Sequence, residues 1–174
     1  MVLGLQRGVV KIVPYQQEWA ALYEEEKQRI LAAISQDVLE IQHVGSTSIP
    51  GMPAKPILDM AIAVRSFEEA GVCIPPMEAI GYRYKGECDI PFRHYFVKDK
   101  PRTHQIHMVE RGSSEWERML LFRDFLRYHP VAAREYADLK LRLASEYNSD
   151  VERYTNMKGP FIEKIIMEAR KALS

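Results

Sequence analysis

HVGSTSIPGMPAKPILDMAIAV, residues 43–64, is the stretch around which the rest of the chain is read. An apolar run closes at Val44 and gives way to four small residues, Gly45-Ser46-Thr47-Ser48. Pro50, Gly51 and Pro53 make a loop, Lys55 follows, and a second apolar run, Ile57–Val64, carries a single carboxylate, Asp59. Gly45 has no Cβ, so the backbone there can turn sharply or approach a ligand closely. Ser46, Thr47 and Ser48 bring hydroxyls that cap a helix or bond a phosphate. Backbone N–H groups of such a turn form an anion-binding concavity. Taken alone, G-S-T-S is a weak motif and reads first as a plain strand-to-helix turn.

The second run adds chemistry. As a strand it places Ile57, Asp59, Ala61 and Ala63 on one face and Leu58, Met60, Ile62 and Val64 on the other. The bulky face packs, and the small face leaves room beside the carboxylate. An acid in an apolar strand is costly to bury unless it is paired or binds a metal. Both outcomes are open at this point: a structural Asp paired with Lys or Arg, or a ligand.

Strand, hydroxyl-bearing turn, then strand with an acid is an order suited to nucleotidyl transfer. The stretch resembles the GrpB family, whose signature is an H-x-GST-S-x-PG loop, A-K-P, and an apolar strand with one Asp. The similarity runs nearly end to end. It takes in Val13-Pro14-Tyr15, Trp19, Glu24–Glu26, Arg102-Thr103-His104 with His107, Leu121–Asp124, Tyr136, Leu139-Lys140, Tyr154, Lys158 and Phe161-Ile162. The resemblance implies an α+β fold with a polymerase-β-like nucleotidyltransferase core, residues 1–110, and a helical C-terminal part, 111–174, in one domain. It names no established reaction.

Composition fits that reading. A chain of 174 residues suits one domain with a sizeable core. Equal numbers of basic and acidic residues, 24 each, argue against a nucleic-acid partner. Cys73 and Cys88 have no metal-like spacing, which suggests a reduced, cytoplasmic setting. No apolar stretch is long enough for a membrane span, and MVLGLQRGVV is too short for a secretory signal.

Along the chain the periodicity predicts a short β-like run at Val9–Val13 and a helix over Gln17–Ile34 with Glu24–Glu26 mostly solvated. Strands follow at Val38–Val44 and Ile57–Val64. A Ser66-capped turn, a short helix at Met77–Ile80 and a strand at Tyr82–Lys85 come next. Arg93–Val97 and Thr103–Glu110 read as a hairpin. In its second strand His104 falls on the packing face and His107 on the polar face with Gln105, so the two do not chelate one metal. Helices are expected at Ser113–Tyr128, Val131–Tyr147 and Phe161–Leu173, with Tyr154–Pro160 as a turn holding Lys158. The expected architecture is helices against one sheet face.

The site expected from this reading has Asp59 as magnesium ligand and His107 as ligand or base. Gly45, Ser46, Thr47 and Ser48 would hold phosphate. Lys55, Arg123, Lys140 and Lys158 would clamp charge, although Arg123 is also suited to an ion pair with Asp59 or another buried acid. His43, at the strand end, reads first as a structural histidine. Two-ion nucleotidyl transfer uses paired acids, and the position that would hold the second is Ala61. One acid holds one ion at most, aided by His107, Glu110 or the nucleotide. Two functions are therefore carried forward: magnesium-dependent nucleotidyl transfer to an unnamed acceptor, and a module that binds a nucleotide or phosphorylated small molecule without chemistry. A third, a structural assembly partner, fits the motif crowding less well. Oligomeric state is left open.

Overall fold

The computed structural model describes residues 2–173, Asp99 by its backbone alone. Five strands form one mixed sheet in the order β1-β2-β5-β4-β3. They are β1 (Glu40–Val44), β2 (Leu58–Val64), β3 (Arg83–Tyr84), β4 (Arg93–Asp99) and β5 (Arg102–Glu110). β2 and β5 run parallel at the centre, and every other pair is antiparallel. Five helices accompany the sheet: α1 (Glu18–Ile34), α2 (Ile74–Ala79), α3 (Ser114–Tyr128), α4 (Pro130–Glu146) and α5 (Val151–Leu173). This is the α+β class expected.

β2 shows why the sheet is double-sided. Leu58, Met60, Ile62 and Val64 pack with Trp19, Tyr23 and Ile30 of α1 and Met77 of α2. Ala61 and Ala63, on the opposite face, lie under Trp116, Met119 and Leu120 of α3. Alternation predicted those two residue sets, but helices cover both faces rather than one. The small side chains at 61 and 63 let α3 approach closely. Towards its start the same face carries Asp59, beyond the reach of that cover.

Several local expectations are corrected. Val9–Val13 forms no strand: the segment makes only the isolated bridge Val13–Ala54, with a second bridge at Leu5–Arg102. Glu26 is not solvated. It lies seven residues after Trp19, on the buried stripe, where it accepts from Tyr82 Oη at 2.8 Å and pairs with Lys98 Nζ at 2.5 Å. Tyr154–Pro160 is not a turn, because α5 runs unbroken from Val151 with Pro160 inside it. Proline in a helix interior costs about 3 kcal/mol. Buried Tyr154 on one side of it and Ile165 and Ile166 on the other anchor both halves. α3 begins as expected, with Ser113 Oγ accepting from Trp116 N at 3.3 Å.

Candidate functional site

The site is built where β1 ends against the start of β2. Register places Val44 opposite Asp59, so the chain leaves β1 directly over the carboxylate. Gly45 turns there with φ 69° and ψ −173°, a region open essentially to glycine alone. A Cβ on Gly45 would stand 2.7 Å from Asp59 Oδ2. The glycine thus serves both the turn and the space that the carboxylate fills.

Ser46–Ser48 is one turn of 3₁₀ helix. Most of its hydroxyls are spent internally. Ser48 Oγ donates to Gly45 O at 2.6 Å, and Thr47 Oγ1 bonds His43 Nε2 at 2.9 Å. His43 is buried and stacked on Tyr23 at 4.8 Å between ring centroids. Burial drives its pKa down to about 4, so it is neutral at pH 7 and holds the turn. Ser46 meets the buried Tyr136 phenol, whose pKa burial raises and the bond to Ser46 partly offsets.

Two arginines fix the turn from behind. Arg127 donates to Ser48 O from Nε at 3.0 Å and from Nη2 at 2.7 Å. Arg123 Nη1 donates to Gln42 Oε1 at 2.6 Å and to His43 O at 3.1 Å, while its Nε pairs with Asp124 at 2.7 Å. Arg123 was expected to clamp phosphate or pair with Asp59. It instead braces the end of β1 and does not line the cavity that Asp59 faces.

That cavity has a volume of about 330 Å³. Ser46, Thr47, Lys55, Asp59, Lys140 and Lys158 from the expected set line it, joined by Tyr95, Arg102, Gln105 and Tyr154. Gly45 and Ser48 shape the turn without lining the space. Asp59 is the one carboxylate in that wall, and its side chain is 27% exposed. Against it stand Lys55, Arg102, Lys140 and Lys158.

The lysines are crowded. Lys140, 1% exposed, donates from Nζ to Pro53 O and sits 4.7 Å from the Tyr136 ring centre. Lys158 Nζ lies 4.5 Å from the Tyr154 centroid, and Lys55 Nζ lies 5.3 Å from the same centroid. Burial, then the charges of Lys158 and Lys55, pushes Lys140 down to about 6. Burial, then Lys55, pushes Lys158 down to about 7, with Asp59 opposing. Burial lowers Lys55 as well, again opposed by Asp59. A buried ammonium needs acceptors for three N–H bonds, and this wall offers few.

His107 stands opposite Ala61 in the register, on the face that carries Asp59. Its Nε2 is 3.5 Å from Asp59 Oδ1, and its Nδ1 is 3.1 Å from Arg93 Nη1. A guanidinium only donates, so Nδ1 accepts and the ring proton is assigned to Nε2, facing the carboxylate. Arg93 is itself buried, donating to the carbonyls of Glu87 and Cys88 at 3.1 and 2.8 Å. In this tautomer His107 orients Asp59 and has no free lone pair for a metal. His104 points the other way, buried beside Tyr82 and bonded to Thr103 Oγ1 at 2.9 Å.

These donors do not fit a two-magnesium centre. Asp59 is one carboxylate, its neighbour His107 presents N–H, and the remaining charges are cationic. Among the described residues no group of three or more His, Cys, Asp or Glu side chains is placed to hold a metal ion.

The family model described as "GrpB protein" matches residues 9–168. The chain belongs to the GrpB family. The GrpB chain is 44% identical over 163 residues to the UPF0157 protein YqkA of Bacillus subtilis, covering 93% of this chain and 48% of that protein. It therefore spans about half the length of YqkA. The glutamate-rich protein GrpB of Alkalihalophilus pseudofirmus is 32% identical over 96% of this chain and 99% of its own length. The crystal structure of GrpB from Enterococcus faecalis superposes with a TM-score of 0.88 at 36% identity, covering 94% of this chain and 99% of that one.

Sequence reasoning missed Arg93, Tyr95 and the site role of Arg102 in this GrpB chain. A signal for the first two existed. Alternation in β4 puts Arg93 and Tyr95 on one face, and Tyr95 pairs directly with His107. Lys158 and Tyr154 are four residues apart, hence neighbours on a helix, a relation hidden once the segment was read as a turn.

Proposed function

We propose that the cavity beside Gly45 and Asp59 binds the phosphate groups of a nucleotide or another phosphorylated small molecule. One observation carries this reading: Lys55, Arg102, Lys140 and Lys158 converge on a space with a single carboxylate in its wall. Such a convergence of basic side chains is stabilised by an anion, which favours their charged forms, and charge-assisted bonds to phosphate are the strong ones. Ser46 and Gln105 add polar contacts from the turn and from β5. The nucleotidyltransferase kinship suggested by the sequence resemblance points to the same ligand class, though fold alone does not assign chemistry. Non-catalytic binding is the primary reading, because the second acid of a transferase is replaced by Ala61 and the cavity side of the site is cationic.

Magnesium-dependent nucleotidyl transfer is the second reading. It rests on Asp59 being open to the cavity and held by His107 at 3.5 Å. The two are separated by one experiment. Thermal unfolding is followed with nucleoside mono-, di- and triphosphates, with and without magnesium, alongside an assay for released pyrophosphate. The binding reading expects stabilisation that grows with phosphate number, needs no magnesium, and comes without turnover. Magnesium-dependent pyrophosphate release that disappears in Asp59→Asn would establish the transferase instead. No stabilisation by any of these compounds would overturn both.

A further inference from the structure

A second cavity of about 330 Å³ lies beside the first. The two share Lys55, Ile57, Arg102, Gln105 and Val151 as a common wall. The outer side of the second is the segment Leu5–Val9, an arch pinned at both ends. Leu5 and Arg102 exchange both backbone hydrogen bonds at 3.0 Å, Gly4 N donates to Pro56 O at 2.9 Å, and Val10 N donates to Asn148 O at 2.8 Å. Leu5 and Val10 are buried as anchors, and Gln6–Val9 span between them exposed.

The charge of this second chamber is one-sided. Arg7 from the arch joins Lys55 and Arg102 from the dividing wall, and no carboxylate lines it. Arg102 Nε is buried without a hydrogen-bond partner, a state rare in folded proteins.

We propose that the ligand carries two separated anionic groups: a phosphate in the lysine chamber beside Asp59, and a second phosphate or carboxylate under the arch at Arg7. The linking atoms cross the wall of Lys55, Arg102 and Gln105. This rests on the phosphate-binding reading above and specifies the ligand further. Each chamber alone is near the lower end of ligand-pocket volumes, about 300 Å³. The two in series suit an elongated molecule. Arg7 is then a specificity-determining residue contributed by the N-terminal segment.

The test uses linear α,ω-bisphosphonates of increasing chain length, titrated calorimetrically into the protein. Methylene bisphosphonate fits one chamber and reports the lysine site alone. Affinity is expected to rise roughly tenfold at the length that spans both chambers, the value of one charge-assisted contact. Arg7→Ala, at an exposed position, should abolish that rise and leave methylene bisphosphonate binding unchanged. A carboxylate in place of the distal phosphonate distinguishes the two candidate groups at Arg7, and the stronger of the pair identifies the class. Affinity independent of length, or a rise that survives Arg7→Ala, overturns the two-anion proposal while leaving the phosphate site intact. Failure of methylene bisphosphonate itself to bind removes the phosphate site and this proposal with it.

Discussion

Gly45→Ala is the substitution that most sharply probes the turn. Two separate costs follow from the structure. The backbone at φ 69° and ψ −173° is in a region where a side chain costs about 1–3 kcal/mol. The new methyl would also lie 2.7 Å from Asp59 Oδ2 and 3.0 Å from Asp59 Cβ. Backbone and strand flank this contact, so the carboxylate has to rotate away, losing its place beside His107. Coupling between residues in direct contact typically amounts to about 0.5–3 kcal/mol. Together these give a loss of roughly 1.5–6 kcal/mol, or on the order of 3–24 °C in Tm for a chain of this size. A double-mutant cycle separates the parts. In an Asp59→Ala background the Oδ2 clash is gone while the 3.0 Å approach to Cβ stays, so Gly45→Ala should cost less, about 1–3 kcal/mol from the backbone plus that residual contact. Urea unfolding of the four proteins reads both values. Equal costs of Gly45→Ala in the two backgrounds would refute the claim that the carboxylate occupies the glycine's side-chain space.

Three further outcomes are expected. Lys140 and Lys158, lowered to about 6 and about 7, are largely neutral in the free protein at pH 8. A bound polyanion restores their charge, so tripolyphosphate binding should take up about one to two protons and weaken as pH rises through 7; calorimetry in buffers of different ionisation enthalpy measures this, and a heat independent of buffer would count against it. Lys140→Met should raise Tm at pH 8, since it removes a buried amine that the unfolded chain holds protonated, while binding of tripolyphosphate drops by tenfold or more; a lowered Tm with binding intact would contradict both halves. His43 and His104 are held down to about 4. Above pH 6.5 they are neutral in both states and contribute no pH dependence. Below it the unfolded chain binds their protons first, so stability falls by roughly 2 kcal/mol per histidine at pH 5. Urea midpoints at pH 7 and pH 5 check this, and equal midpoints would exclude it.

Much of the centre was readable because its two faces differ in size. Ala61 and Ala63 alternate with Leu58, Met60 and Ile62, and that pattern alone puts Asp59 on the uncrowded side. The same alternation separated His104 from His107. Glu26 was misread because three consecutive glutamates resemble a solvated face, although the third falls seven residues after Trp19 and so on the buried stripe. Gly159-Pro160 masked α5, since local propensity opposes a helix that tertiary burial of Tyr154 and Ile165 sustains. Arg123 sits inward as its spacing implied. Beyond the adjacent Asp124, its partners Gln42 Oε1 and the His43 carbonyl come from 80 residues or more away in sequence, and no pattern in the chain announces them. The arch at Leu5–Val9 was invisible for a related reason. Its role comes from three backbone anchors, and backbone bonds leave no residue-type signature.

The phosphate-binding account is tested most directly by a crystal structure of the protein soaked with tripolyphosphate without magnesium. It predicts phosphate oxygens within hydrogen-bond distance of Lys55 Nζ and Lys158 Nζ, in the cavity that Asp59 and Ser46 line. A fully occupied anion elsewhere on the surface, with that cavity holding only water, would contradict it.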